Sequence, residues 1–498
     1  MSGFRWTADE VRAALETTSP ADEMTFTGIS TDTRKIERGS LFVALKGANF
    51  DAHDYLAQAA GQGAAAAVVS RVPEGAPQGL PLFVVDDTLH ALGKLGRHRR
   101  RALGGRVVAV AGSNGKTTTK ELLRAVLAST FRVHATEANL NNQVGVPLTL
   151  LAAPDDAEAA IVEAGTNEPG EVTLLSRIIE PDAAIITSIG EEHLEGLGSV
   201  EGVLQEELAI FDGLAPGGVA FVADEPAELP TGAQERIGGM RLRVAGFDGR
   251  ADLVPDGGKE GVRFRPDGST EWSFRGVPIH LPLPGMHNVR NALLALGVAV
   301  EWGVSIEDAA KGLAAMKVPK MRNEWLRVGT MGVIADCYNA NPPSMRAALD
   351  LLATVPAEGE KVAVIGTMRE LGDHGERLHR ELALHAAGLV GHGIDRVVAT
   401  GDFVRAFEQN HSELGDRLIL AEDPLQGYEA LRIEELDGRE NLMRPVFRNG
   451  QVLVDDTFAQ IRARAVDRSL EECECGEGVG PCEATIECLA RVDGCHDA

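Results

Sequence analysis

The stretch GSNGKTT at residues 112–118 has the residue types and spacing that most directly imply chemistry. It follows RVVAVA, a run of small and β-branched residues, and precedes a helical pattern of about a dozen residues starting near Thr117. That is the strand–loop–helix context of a phosphate loop. Gly112 and Gly115 let backbone N–H groups approach an anion, with Ser113, Asn114 and Thr118 completing the loop. The helix N-terminus adds its positive dipole end. Lys116 can neutralise β- and γ-phosphates, and the Thr117 hydroxyl suits Mg²⁺. Val110 stands where a longer phosphate loop has its first glycine, so this is a short variant. Before nucleotide arrives, the lysine is expected to face solvent.

Three further groups fall where apolar runs end. Glu163 closes AAIVE, His193 follows AAIITSIG closely, and Asp336 closes GVIAD. Open α/β sheets bind ligands at the carboxyl ends of their strands. Singly, each residue reads more plainly as a helix cap or a surface group. Beside a phosphate loop, Glu163 and His193 become candidate Mg²⁺ ligands, because this ion takes few protein groups and fills its shell from phosphate and water.

The elements that must position these residues alternate short apolar runs with helical patterns, the rhythm of parallel sheets covered by helices. Strands are predicted at 40–45, 64–70, 82–86, 106–112, 159–165, 183–190, 361–367 and 395–401, with a more β-rich stretch over 217–282 and a helix over 288–303. The basic stretch 93–105 reads as a solvated linker helix between domains. The chain has 498 residues, enough for several domains. The fold class is α/β with three domains at 1–103, 104–318 and 319–443, followed by an atypical tail at 444–498.

Lys and Arg number 48 against 74 Asp and Glu, a net charge of −26, which leaves no electrostatic footprint for nucleic acid or an anionic membrane. No apolar run reaches the ~18 residues of a membrane span, and the first thirty residues lack a signal peptide's apolar stretch, so a cytoplasmic protein is expected. Of six cysteines, only Cys337 precedes the tail; Cys473, Cys475, Cys482, Cys488 and Cys495 crowd its last part, without the paired spacing of a zinc site.

Several segments together resemble the Mur ligases: GSNGKTT, NLNNQVGVPLTLL (139–151), VEAGTNEPGE (162–171), HLEGLGS (193–199), GMHNVRNALLAL (285–296) and DCYNANPPSMRAAL (336–349). STDTRKIERGSLFVALKGANFDAHDYLAQAA (30–60) is similar to the family's nucleotide-sugar domain, and AVIGTMRELGDHGERLH (363–379) to its last domain. The YNANP segment resembles the branch that attaches a dipeptide. The resemblance implies a central phosphate-loop ATPase-like domain between an N-terminal α/β UDP-binding domain and a C-terminal Rossmann-like domain. It implies a monomer that joins the carboxylate of UDP-N-acetylmuramoyl-tripeptide to the amine of D-alanyl-D-alanine, using ATP and Mg²⁺, through an acyl phosphate.

By the same resemblance, Gly112 to Thr118 hold phosphates, and Lys116, Glu163, His193 and Arg322 are catalytic. Thr117 and Glu163 share one Mg²⁺. His287, Asn288 and Asn291 flank adenine, Arg322 reaches the phosphates and Asp336 the ribose. Ser30, Thr31, Asp32, Thr33, Arg34 and His53 match the uridine-diphosphate region, and Tyr338, Asn339 and Asn341 face the closing cleft; a turn after the strand is the plainer reading of the two asparagines.

Four positions depart from the family pattern: Met321 and Ala52 replace glycines, Thr367 replaces an aspartate, and Glu207 replaces a lysine that becomes carbamylated on a second metal. Glu207 is expected either to substitute as an anion beside His193 or to be an exposed helix residue. From residue 466 onward there are nine acidic and two basic residues, consistent with a divergent extension or a frameshift. Two alternatives accompany the ligase reading: a nucleotide-binding scaffold that has lost catalysis, and a neighbouring ligase that adds the third amino acid.

Overall fold

The computed structural model describes residues 5–446, apart from 19–22, 48, 266, 329–330, 358, 409–410, 423–425 and 427–442. The cysteines of the tail therefore lie outside the described residues.

The first sheet has four parallel strands, β1 (Ile29–Ser30), β2 (Leu41–Val43), β3 (Ala66–Val69) and β4 (Leu82–Val84), in that order. Helix α1 (Thr88–Ala102) follows, capped by Asp87, whose side chain accepts the His90 N–H. This basic helix is not a solvated linker. The Arg99 side chain is 1% exposed and bonds the Ala153 carbonyl and Asp155. Arg100 holds the Ile179 and Glu180 carbonyls and Asp182, and Arg97 and Arg101 converge on Glu180. The charges that suggested solvent instead clamp α1 to the next sheet, with backbone carbonyls satisfying the guanidiniums.

That central sheet is parallel, in the order β10–β9–β8–β5–β7–β6, from β5 (Arg106–Ala111), β6 (Val133–Ala135), β7 (Ala159–Glu163), β8 (Ala183–Ile186), β9 (Val219–Ala223) and β10 (Arg241–Ala245). Both faces are covered, which is why its strands read as unbroken apolar runs. Val107, Ala109 and Ala111 of β5 pack into one core, and Val108 and Val110 into another with Leu122, Leu123 and Val289. The chain runs from β5 outward to β6 and β7, then returns to the other side of β5 for β8, so a topological switch point lies at β5's carboxyl end. Helix α2 (Lys116–Leu127) leaves there, and α3 (Val200–Leu208) lies before β9.

Within 217–282 the structure contains a helix the alternation did not suggest, Glu228–Arg236, whose Pro230 sits in the tolerant first turn. Strands β11 (Arg263–Phe264), β12 (Thr270–Phe274) and β13 (Val277–Leu281) then form an antiparallel sheet. Helix α4 (Met286–Glu301) packs back against α2.

The last sheet runs β14–β15–β19–β16–β17–β18, from β14 (Glu324–Val328), β15 (Met331–Ala335), β16 (Val362–Ile365), β17 (Arg396–Thr400), β18 (Leu418–Ala421) and β19 (Met443–Val446). Only the β14–β15 pairing is antiparallel. Helix α5 (Pro342–Thr354) connects β15 to β16, and α6 (Gly375–Leu389) connects β16 to β17. The residues that open the sequence-defined tail thus form β19, between β15 and β16. One hydrophobic cluster runs from Val107 and Ile186 in the central sheet through Met345 and Leu349 to Ile365.

Candidate active site

The phosphate loop leaves β5 at Gly112, whose φ is +114° and where a Cβ would meet Thr187 Oγ1 at 2.5 Å. Its amide donates to Glu207 Oε2 at 2.7 Å, and the Ser113 and Asn114 amides donate to Ser188 O and Oγ, each at 2.9 Å. Gly115 caps α2 with φ +87° and no side-chain bond, so the helix N-terminus keeps N–H groups for an anion. A Cβ on Gly115 would lie 2.9 Å from Asn291 Nδ2, because α4 crosses close over the loop.

Lys116 does not face solvent. Its side chain is 14% exposed, and Nζ donates to the carbonyls of Gly112 and Ser113, curling back over the loop. Burial opposes its charge, but the Glu192, Glu207 and Glu163 carboxylates outweigh that and raise its pKa. Glu192 Oε1 lies 3.9 Å from Nζ, and burial pushes Glu192 up to about 8. Glu207 is fully buried and does not line the cleft, so it is not an exposed helix residue. Burial raises its pKa against the pull of Lys116 and the Gly112 amide, and Oε1 has no protein partner. A glutamate at this place on α3 is long enough to reach the loop amide, and one carboxylate oxygen is committed there.

Beside the loop, Thr117 Oγ1 lies 3.1 Å from Glu163 Oε2, and Asn141 Nδ2 donates to Glu163 Oε1 at 3.1 Å. His193 has φ +49°; its Nδ1 lies 2.6 Å from Glu370 Oε2, and its Nε2 is 3.8 Å from Glu192 Oε2. Burial and then Lys116 lower its pKa, against the opposing pull of Glu370.

A cavity of about 820 Å³ joins these groups to others from α4 and the last sheet. Asn288 donates from Nδ2 to the Pro284 carbonyl at 2.7 Å, which orients its amide towards Asn291. Burial, then Arg290, lowers the His287 imidazole to about 4. Arg322 stacks over Tyr338 with Cζ 4.2 Å from the ring centroid. Asp336 accepts the Asn323 N–H at 3.1 Å, and burial raises its carboxyl to about 6 despite that bond and Arg322. Asn339 uses Oδ1 on the Ala340 amide, an ordinary turn contact at 2.9 Å, although the residue lines the cavity.

The N-terminal group is elsewhere. Ser30, Thr31, Asp32, Thr33, Arg34 and His53 do not line this cavity. Arg34 makes a bidentate pair with Asp32, which holds that carboxyl down at about 2. His53 is 1% exposed; Nε2 accepts the Ser70 amide at 2.9 Å and Nδ1 meets Asp51 at 2.6 Å, so its imidazole fastens a turn to the end of β3. Asn341 does not line the cavity either. Sequence reasoning missed Asn141, Glu192 and Arg290, all on the cavity wall. Asn141 lies inside NLNNQVG, and an asparagine within hydrogen-bond reach of a strand-end carboxylate has no spacing signature.

Over residues 25–100 the sequence matches the Mur ligase family catalytic domain, over 110–299 the Mur ligase middle domain, and over 321–444 the Mur ligase glutamate ligase domain. It is 38% identical over 426 residues to the UDP-N-acetylmuramoyl-tripeptide–D-alanyl-D-alanine ligase of Bacillus subtilis, covering 85% of this chain and 87% of the relative. Identity to the Escherichia coli ligase of the same name is 37% over 388 residues, 76% of this chain and 82% of the relative. A crystal structure of MurF from Acinetobacter baumannii superposes with TM-score 0.82 at 31% identity, covering 93% of this chain and 100% of that one. The fold is shared with Thermotoga maritima MurF, solved in complex with ADP, at TM-score 0.74 and 24% identity over 89% of this chain and 98% of that one. The chain belongs to the Mur ligase family.

Proposed function

We propose that this protein is an ATP-dependent ligase that joins D-alanyl-D-alanine to UDP-N-acetylmuramoyl-tripeptide in peptidoglycan precursor synthesis. The observation that carries the reading is the shared cleft: the uncapped phosphate loop of the central sheet faces Arg322 and Asp336 of the last sheet across one cavity. In the proposed reaction a tripeptide carboxylate oxygen attacks the γ-phosphorus and ADP leaves. The dipeptide amine then attacks the acyl carbon, loses its proton, and inorganic phosphate departs as the amide forms. Little covalent help is needed, so the side chains act by position and charge.

The α2 N-terminus and Lys116 receive the phosphates, and Lys116 must release the Gly112 and Ser113 carbonyls to do so. Arg322 adds positive charge from the other wall, Asp336 suits a ribose hydroxyl, and His287, Asn288 and Asn291 flank the base. Thr117 and Glu163 fit Mg²⁺: a hydroxyl and a carboxylate lie side by side at the carboxyl end of β5 and β7. Bound there, the ion would neutralise phosphate charge. Among the described residues no three His, Cys, Asp or Glu side chains form a metal cluster, so phosphate and water would complete its shell. His193, on the cavity wall, is a candidate for a second ion; Glu207, buried under the loop, is assigned to the loop amide instead. Arg34 with neighbouring main-chain N–H groups suits the UDP diphosphate.

The test is phosphate release together with detection of the amide product. Release that requires ATP, the UDP-tripeptide and the dipeptide together supports the reading, and Lys116→Ala should lower it at least about 100-fold. Nucleotide binding without amide product would instead favour a scaffold. Product formed from a UDP-muramoyl dipeptide and a free amino acid, in place of the UDP-tripeptide and D-alanyl-D-alanine, would favour the neighbouring ligase.

A further inference from the structure

A side chain at the start of α5 reaches from the last domain to the phosphate loop itself. Asn341 caps α5: Oδ1 accepts the Ser344 amide at 3.0 Å, and Ser344 Oγ accepts the Asn341 amide at 3.2 Å. The other half of the same side chain crosses to the central sheet, where Nδ2 donates to Asn114 Oδ1 at 2.8 Å. The residue is 3% exposed. The cap fixes which way the amide faces, since only Oδ1 can accept the Ser344 N–H; Nδ2 is therefore presented to Asn114.

Asn114 is itself held on both sides. Its amide donates to Ser188 Oγ at 2.9 Å, and its carbonyl accepts from Thr187 Oγ1 at 2.5 Å and Ser188 Oγ at 3.1 Å. Next to this contact the ring of Pro343 sits on Gly190, where a Cβ would meet Pro343 Cγ at 2.7 Å. Gly190 in turn donates its amide to Ser113 Oγ at 2.9 Å. The first turn of α5 is thus seated on Asn114 of the loop and on Gly190 beside it.

Serine, threonine and aspartate cap helices about as well as asparagine. None of them carries a second, donor group that could reach Asn114. The cap alone does not call for asparagine; the cap and the crossing bond together do.

We propose that Asn341 is a positioning residue that registers the last sheet on the phosphate loop, acting through Asn114 rather than by contacting substrate. This rests on the ligase reading above. Arg322 and Asp336 flank β14 and β15 of the last sheet, and nucleotide phosphates bind the loop, so acyl transfer needs the two held in register. Small misplacement between catalytic groups costs rate more than binding.

Asn341→Ser keeps a capping oxygen and removes the donor. Its thermal midpoint, and its dissociation constant for an ATP analogue alone, should stay near the parental values. kcat should fall about 10- to 100-fold while the KM values for ATP and both peptide substrates change by about twofold or less. Asn114→Ala should also be slow, and the double variant should be no slower than the slower single variant, because both remove one bond. Gly190→Ala, which pushes Pro343 away from the residue next to the loop without replacing Asn341, should reproduce the kcat loss. The proposal is overturned by parental kcat in Asn341→Ser, by additive losses in the double variant, or by a loss confined to KM. If Asn341→Ser is poorly folded, Gly190→Ala carries the test, and parental kcat there overturns the proposal. A parental protein that makes no amide product would overturn the ligase reading itself and this inference with it.

Discussion

Glu207 beneath the phosphate loop and His287 on the cavity wall have roles that their charges and partners define. Glu207 gives one oxygen to the Gly112 amide and balances Lys116. Glu207→Gln keeps an acceptor and removes the charge, so folding should be retained while turnover falls several-fold as Lys116 loses a counter-charge. Glu207→Ala strands a buried N–H and leaves a cavity, at about 2–4 kcal/mol. Thermal unfolding and kcat on both variants check this, and equal stability loss in Gln and Ala would refute the loop contact. A carboxylate already in place needs no carbon dioxide to form, so stripping bicarbonate should leave turnover unchanged. His287 supplies a pH test. Its folded pKa of about 4 lies below the ordinary histidine value of 6.5, so the unfolded chain binds more protons between those values. The stability is present above about pH 6.5 and is lost as pH falls towards 4, about 2 kcal/mol by pH 5. His287→Asn should flatten that part of the stability curve relative to the parent, measured by denaturant unfolding at pH 7 and pH 5; an unchanged slope would refute the neutral imidazole.

Among the elements, α2 depends on how its first turn is built. Gly115 sits at φ +87° and under Asn291, so Gly115→Ala combines backbone strain of about 1–2 kcal/mol with displacement of the α4 side chain over the loop. The expected result is a lower thermal midpoint and an ATP KM raised at least about tenfold. Gly104→Ala is the control, since nothing lies within 4 Å of a Cβ there and its φ is not positive. Equal behaviour of the two variants would remove the close approach of α4 from the account. Met321 has φ +56° where the family pattern has glycine, and its carbonyl accepts the Cys337 and Tyr338 amides, so the departure is accommodated as a left-handed residue.

Across the whole molecule, the central and last domains already meet at the loop, whereas the residues matched to the UDP region lie on and around the first sheet and do not line the cavity. A substrate held at both places must span them, and closure would exclude water from a hydrolysable acyl phosphate. Small-angle scattering should therefore show a smaller radius of gyration with an ATP analogue, UDP-tripeptide and dipeptide together than with the analogue alone. No compaction would argue against closure.

The sequence by itself determined what depends on neighbours along the chain. Unbroken apolar runs such as AAIVE and AAII specify strands buried on both faces, and Gly-Lys-Thr after a strand specifies an uncapped helix start; both appear as expected at β7, β8 and α2. Tertiary structure decided what depends on contacts between distant segments. The arginines of α1 look solvated in sequence because their acidic and carbonyl partners lie 50 or more residues away. Lys116 turns inward because three glutamates from separate elements surround it. Glu207 reaches Gly112 across 95 residues, and Asn341 reaches Asn114 across 227. No local pattern encodes such pairs, since each residue alone satisfies a helix or a turn equally well without its partner.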